Sequence, residues 1–360
     1  MNIGIPKERR TFEFRVGMTP VGVEQLSQAG HVCYVEHDAG LGAGFSDQDY
    51  EQAGGRIVFS PHEAFGRADM ILKVSRPLYE ELDWIRPEAI VAGLLHLASA
   101  RQDKIAIMQD KKLTAVALEQ IQTMDDYMPV RRPLAQIGGK LAAQIGARLL
   151  QNNSGGKGVL LGGAPGVPPA EVVVIGAGVA GSCAARGFAG MGAHLTVLDT
   201  SLLALEMIGD QIPGIVTMLS NQRNIARAVA YADVVVGAIL TPGERPPIVV
   251  TREMVRSMKP RSVVMDLSID EGGCVETSRP TTHEHSYYVE EGVLHYCVPN
   301  IPSVVARTAT YVYTNAAMPY ILEIADQGIE TAMRTDIAVE RSVGLLYGKM
   351  KNIARLNPKA

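Results

Sequence analysis

Cysteine is scarce and unpatterned in this chain: Cys33, Cys183, Cys274 and Cys297 are widely separated, and no two form a CxxC pair. That spacing excludes a disulfide framework or a cysteine-based zinc site read from sequence. Cys33, Cys183 and Cys297 lie among apolar or small residues, which predicts reduced, buried thiols in a cytoplasmic protein. No metal site is expected. An excess of positive charge is also missing. The formal charge is −4 and the pI near 6.1, so nothing electrostatic calls for nucleic acid or an anionic membrane as a partner. No run approaches the roughly 18 uncharged apolar residues of a membrane span. The start, Met1-Asn-Ile-Gly-Ile-Pro-Lys-Glu-Arg9, carries charge too early for a signal peptide. Internal repeats and low-complexity tracts are lacking as well.

Apolar residues and glycine are plentiful, at 47% of the chain and 36 residues. With 360 residues, this composition suits two α/β domains rich in tight turns. The most informative stretch is Val172-Val-Val-Ile-Gly-Ala-Gly-Val-Ala-Gly181, followed by Leu195-Thr-Val-Leu-Asp199. It reads as a buried strand, a glycine-rich turn, a helix from Ala180 to Gly190, and a second strand ending in an acid. Gly176 permits the tight turn, Gly178 lets the backbone approach a pyrophosphate, and Gly181 lets the helix pack closely on the strand. The helix N-terminus aims free N–H groups at a diphosphate. Asp199 is placed to accept hydrogen bonds from the adenosine ribose hydroxyls. A nicotinamide dinucleotide, NAD, is the expected cofactor.

The remaining pattern supports two doubly wound, Rossmann-like sheets. Strands are predicted at Asn2–Ile5, His31–Glu36, Met70–Val74, Ala89–Leu95 and Thr114–Ala117. Helices are predicted at Val21–Ala29, Asp47–Ala53 and Arg101–Asp110. A small-residue helix, Gln136–Asn152, bridges to the second domain, whose further strands lie near Val234–Ala238, Val263–Leu267 and Leu294–Val298. Between these strands come the helix Asn224–Tyr231 and a turn at 242–247. Helices at Tyr311–Gln327 and 337–356 return the chain to a discontinuous first domain. The expected division is 1–130 plus 305–360 as the substrate and catalytic domain, and 131–304 as the NAD-binding domain.

Chemistry needs groups beyond the carboxyl ends of strands. Arg15 follows the first strand, Lys73 ends Met70-Ile-Leu-Lys73, and His96 ends Val91-Ala-Gly-Leu-Leu-His96. Asp270 precedes a Glu271-Gly-Gly273 turn. Two cations, a histidine and a carboxylate suit a substrate with a carboxylate beside an oxidisable C–N or C–O bond. Each also has a plainer reading, as surface charge, snorkelling lysine, structural histidine or turn cap. Asp266, inside its apolar run, reads as buried and structural.

The chain resembles the alanine dehydrogenase family, which also contains the NAD-binding domain of proton-pumping transhydrogenase. The resemblance rests on Gly4-Ile-Pro-Lys-Glu8, Arg15-Val-Gly-Met-Thr-Pro20, Gly40-Leu-Gly-Ala-Gly-Phe-Ser-Asp47, Leu95-His-Leu-Ala98, Gly156-Lys-Gly-Val-Leu-Leu-Gly-Gly163, the dinucleotide block, Ile269-Asp-Glu-Gly-Gly-Cys274, Arg279-Pro-Thr-Thr282 and Thr314-Asn-Ala-Ala-Met-Pro-Tyr320. It implies oxidative deamination of L-alanine to pyruvate and ammonia, and the reverse, in a cleft between the domains of a hexamer. By that resemblance Arg15 and Lys73 hold the substrate carboxylate, and His96 and Asp270 are the catalytic pair. Cofactor contacts are implied at Gly176, Gly178, Val179, Ala180, Gly181, Asp199, Ser220, Ile239, Leu240, Leu267, Ile269, Asp270, Val298 and Asn300. Leu94 and Leu118 replace residues usually aromatic in the family, Ala135 replaces a serine, and Arg131 and Arg132 precede it. Those departures predict a roomier pocket and leave open a larger amino acid, an opine-like reductase, or a transhydrogenase-like NAD-binding subunit.

Overall fold

A computed structural model describes residues 1–241 and 245–353. The chain divides into two compact units, Met1–Leu134 with Ser303–Ala360, and Ala135–Pro302. It belongs to the α/β class in both.

The first unit begins with strands β1 (Asn2–Ile5), β2 (Val32–Glu36), β3 (Arg56–Val58), β4 (Met70–Ser75), β5 (Ile90–Leu94) and β6 (Thr114–Ala117), separated by helices such as Pro20–Gln28, Asp47–Gln52 and Gln102–Asp110. These strands pair in parallel. Their residues are mostly buried on both faces, as parallel strands under two layers of helices require. Local caps set the helix starts: Thr19 accepts from the Gly22 N–H, and Ser46 forms a capping box with Asp49. Two elements of this region have weak sequence signals: β3 is three residues long, and Tyr79–Trp84 is a single short helix.

The chain enters the second unit within the helix Arg131–Leu149. This helix starts five residues before the predicted Gln136, because Pro133 in its first turn is compatible with helix entry. Its small residues do permit close packing. A Cβ on Gly139 would lie 2.2 Å from the Ala180 carbonyl oxygen, and one on Gly146 would lie 2.9 Å from the Phe188 ring.

The second unit holds β7 (Glu171–Ile175), β8 (His194–Asp199), β9 (Val216–Leu219), β10 (Val234–Gly237), β11 (Val263–Asp266), β12 (Tyr287–Glu290) and β13 (Val293–Tyr296). The sheet order is β12-β13-β11-β10-β7-β8-β9. Parallel β9-β8-β7-β10-β11-β13 is the doubly wound order, and its switch point lies between β7 and β10. Val173, Ile175, Val235 and Val264 form the centre of its core.

One edge strand of this sheet, β12, runs antiparallel to β13. One expectation is corrected. After the helix Ala306–Gln327 the chain does not end in one long helix over 337–356. It forms a short helix, Ile337–Ser342, then β14 (Val343–Leu346) and β15 (Lys349–Met350). β14 pairs antiparallel to β6, placing Val343 and Leu345 in the core with no exposure. Burying that β-branched and apolar edge outweighs the helical preference of the tail. Residues 354–356 of that predicted helix, and 242–244 of the predicted turn, lie outside the described residues.

All four cysteines are buried free thiols, and burial pushes Cys33 up to about 12. Among the described residues no helix is long and apolar enough to cross a membrane.

His295, on β13, is fully buried. Its Nδ1 meets the Val293 carbonyl at 3.0 Å and its Nε2 the Thr277 hydroxyl at 2.7 Å. A carbonyl can only accept, so Nδ1 carries a proton. Burial holds its pKa below the usual value. The unfolded chain therefore binds the extra proton first as pH falls. His295 contributes stability fully above about pH 6.5 and loses it as pH falls towards the folded-state value. The urea midpoint of the wild type is expected to drop more between pH 7.5 and 5.5 than that of His295→Gln. Equal drops would assign the acid sensitivity to other groups.

Candidate active site

The dinucleotide cradle is built at the second unit's switch point. Gly176 has φ +103°, and a Cβ there would sit 2.4 Å from the Ala238 carbonyl oxygen at the end of β10. Only glycine meets both conditions. A Cβ on Gly181 would lie 1.8 Å from the Gly176 carbonyl oxygen, so the third glycine sets the packing of the helix Val179–Gly190 onto its strand. Gly178 differs: it is exposed, its φ is ordinary, and nothing lies within 4 Å of its would-be Cβ. Neither backbone nor packing demands glycine there. A bare backbone facing open space at a helix N-terminus, with Val179 and Ala180 in the first turn, fits a diphosphate.

Asp199 ends β8 with its carboxylate already oriented. Oδ2 accepts from the Ala177 N–H at 2.6 Å and Oδ1 from the Ser201 N–H at 2.7 Å. Each oxygen keeps a further lone pair for a ribose hydroxyl. Ser220 is tied to the same spot by its N–H to the Asp199 carbonyl, 2.8 Å. The residues present fit a nicotinamide dinucleotide.

Asp270 stands on a one-turn segment, Ile269–Glu271, closed by Gly272 at φ +112°. Asp266, fully buried, pins that turn: its carboxylate accepts from the N–H groups of Ser268, Cys274 and Val275 at 2.9–3.1 Å. Its structural reading is thus supported by geometry. The Ser268 hydroxyl accepts from the Ile239 N–H and donates to the Ile239 carbonyl, tying the loop after β10 to the same turn. Leu267 donates to the Gly237 carbonyl, and Leu240 is exposed. The Asn300 N–H lies 3.2 Å from both Asp270 oxygens, with Asn300 in the left-handed region at φ +59°. Asp270, Asn300 and Ile239 are therefore brought together. Val298 and Ile269 are buried at 1% and 5% exposure, which leaves their backbones rather than their side chains to meet a ligand.

In the first unit, Arg15 is buried and forms a two-pronged bond with Glu13, both contacts 2.7 Å. Burial alone would lower its pKa, yet Glu13 outweighs this and holds it above the ordinary value. The Ser75 hydroxyl donates to Glu13.

Lys73, the other residue expected at the substrate carboxylate, lies inside the first unit. It is 1% exposed, with Nζ 3.1 Å from Glu8 and 2.9 Å from Glu81. Burial would lower the ammonium, but the two carboxylates hold it above its usual pKa. One cation cannot neutralise two buried acids, and burial keeps Glu8 above the usual carboxylate range. Lys73 ties β4 to Glu8 and to the helix Tyr79–Trp84.

His96 follows β5 in the left-handed region, φ 42° and ψ 51°, an uncommon conformation for a side chain of this size. Glu119, 2% exposed, supplies the compensation. Its two oxygens accept from the Leu95 N–H at 3.0 Å and the His96 N–H at 2.6 Å, while Arg76 donates to the His96 carbonyl at 2.9 Å. Glu119 and Arg76 escape sequence reasoning because their partners lie 23 and 20 residues away. Leu118 is fully buried and Leu94 is 8% exposed, so neither presents an open wall to a substrate.

The full sequence agrees with this geometry. Residues 4–138 match the family described as "Alanine dehydrogenase/PNT, N-terminal domain", and 142–352 the corresponding C-terminal domain. The chain is 44% identical to an alanine dehydrogenase of Methanococcus maripaludis, covering 97% of this chain and 94% of the relative. It is 42% identical to that of Mycobacterium tuberculosis with the same coverage. A solved L-alanine dehydrogenase superposes with TM-score 0.91 at 41% identity, over 97% of this chain and 96% of the other. A transhydrogenase from Sinorhizobium meliloti superposes at 0.81 with 28% identity, over 97% and 98%. With both domain patterns matched in order along nearly its whole length, the chain belongs to the alanine dehydrogenase/PNT family.

Proposed function

We propose that this protein catalyses the NAD-dependent oxidative deamination of L-alanine to pyruvate and ammonia, and the reverse reductive amination. The observation that carries the reading is the Gly176–Gly181 cradle with its pre-oriented Asp199, in a chain matched end to end by relatives named alanine dehydrogenase. When bound, the nicotinamide supplies a two-electron acceptor for the substrate's α-carbon. The protein's own residues do the rest. Arg15 orients the substrate carboxylate, Glu13 fixing the plane of its guanidinium. Asp270 and His96 hold and move the protons of the amine and of the water that replaces it. Asn300 aims Asp270, and Glu119 holds His96 in its strained backbone position. By this reading 1–130 with 305–360 handle the substrate, and 131–304 bind the cofactor.

The reading extends to NAD rather than NADP. A 2′-phosphate would approach a carboxylate already fixed by two N–H groups, and like charges close together are unfavourable. Thr200, Ser201, Leu202 and Leu203 supply no cation in compensation. Catalytic efficiency is expected to favour NAD, and Asp199→Ser to narrow the preference. Equal efficiency with both cofactors in the wild type would show that Asp199 does not discriminate.

The reading also includes a cytoplasmic homo-oligomer, a hexamer by family resemblance, acting on a small-molecule substrate. Light scattering on the purified protein reads the assembly directly. The second reading, an NAD-binding subunit without its own turnover, is favoured only by the likeness to a transhydrogenase.

A further inference from the structure

Behind His96 the first unit gathers three cations that, among the described residues, no carboxylate bonds. Arg10 Nη2 donates to the Arg76 carbonyl at 3.3 Å, Lys104 Nζ to the Pro77 carbonyl at 2.7 Å, and Arg76 Nη1 to the His96 carbonyl at 2.9 Å. Arg10 and Lys104 thus meet on the short segment Arg76–Pro77, whose own arginine reaches His96. Carbonyl oxygens satisfy individual N–H groups but neutralise no charge. Arg10 Nε is buried with no hydrogen-bond partner among the described residues, an unusual state for a guanidinium donor.

The acids nearby are occupied. Both Glu119 oxygens accept from backbone N–H groups, and both Asp103 oxygens serve Arg101 and Tyr79. The cations feel one another. Burial, then Arg10 and Arg76, lower Lys104, with Glu81 and Asp103 opposing more weakly, and burial followed by Arg10 lowers Arg76 against a smaller opposing pull from Glu119. Lys104 is 9% exposed and lies 4.5 Å over the Tyr79 ring, while Arg10 and Arg76 are half-buried.

We propose that Arg10, Arg76 and Lys104 form a binding site for a compact divalent oxyanion of the phosphate type. Planar guanidinium forks and an ammonium suit tetrahedral oxygens, and the anion gives the buried Arg10 Nε an acceptor. Arg76 links the site to the active centre: its other nitrogens hold the anion while Nη1 holds the His96 carbonyl. Occupancy therefore changes how firmly the His96 backbone is held, and with it turnover. The site's residues belong to the first unit and the cradle's to the second, and the proposal stands whichever amino acid is the substrate.

The test uses the full-length enzyme saturated with NADH, so that the pyrophosphate cradle is filled. Inorganic phosphate is titrated by calorimetry at constant pH and constant ionic strength set with sodium chloride. One saturable site per chain is expected. Arg10→Gln and Lys104→Gln are each expected to weaken phosphate binding about tenfold or more. Arg10→Lys, which keeps the charge, should recover part of the affinity. Arg67→Gln, a surface change in an exposed pair with Glu63, should bind as wild type does. Should either Gln variant fail to fold, the other reads the site. Absence of saturable phosphate heat, or unchanged affinity in a folded Gln variant, overturns the proposal.

Discussion

Replacing Asp270 by asparagine is expected to leave NADH binding intact and to lower turnover about 10²–10⁴-fold, the usual contribution of a general acid–base group. The substitution is close to isosteric. The amide oxygen that replaces a carboxylate oxygen can still accept from the Asn300 N–H, so the loop contact at 3.2 Å survives. The turn itself does not depend on Asp270, because the Asp266 carboxylate pins it through Ser268, Cys274 and Val275. What the amide cannot do is accept a proton. Turnover measured beside NADH affinity by fluorescence separates chemistry from structure. A loss below tenfold, with cofactor affinity unchanged, would move Asp270 from the catalytic pair to a purely structural role.

Lys73→Met is expected to act on stability instead. It removes the ammonium bonded to Glu8 and Glu81 and leaves two carboxylates facing each other in a dry interior. Breaking a buried pair in this way costs about 3–5 kcal/mol. Glu81 then retains a longer contact to Arg9, 3.8 Å. Glu8 also accepts from the N–H groups of Val74 and Ser75, so β4 would lose its anchor together with the ion pair. Denaturant unfolding should show the loss, and the triple substitution Glu8→Gln, Lys73→Met, Glu81→Gln should recover much of it. Were Lys73→Met to unfold like wild type while the KM for pyruvate rose steeply, Lys73 would return to the substrate site.

The contrast between Lys73 and Gly178 shows what a sequence can and cannot disclose. The glycine cradle was legible because its partners are local: strand, turn, helix and acid fall within a single stretch, each with its own steric reason. Parallel strands such as β7 and β10 were equally plain, since burial on both faces leaves unbroken apolar runs. The ion pairs of Lys73 are not legible at its strand end: Glu81 lies 8 residues on and Glu8 lies 65 residues away. Nothing in Met70-Ile-Leu-Lys73 announces a carboxylate on another segment. The clamp of Glu119 on His96 is hidden for the same reason. Edge elements failed differently: β12 and β15 are short and largely exposed, so they carry little hydrophobic period, and β14 becomes a strand only by pairing with β6.

The proposed reaction is ammonia-dependent chemistry on a 2-oxo acid at a nicotinamide site. Its most direct measurement follows NADH oxidation spectroscopically with pyruvate and ammonium together, then with each omitted, and then with a panel of larger oxo acids and amines. Turnover is expected to require both pyruvate and ammonium. Tight NADH binding with no ammonium-dependent oxidation for any oxo acid would contradict it, and would leave an NAD-binding subunit in its place.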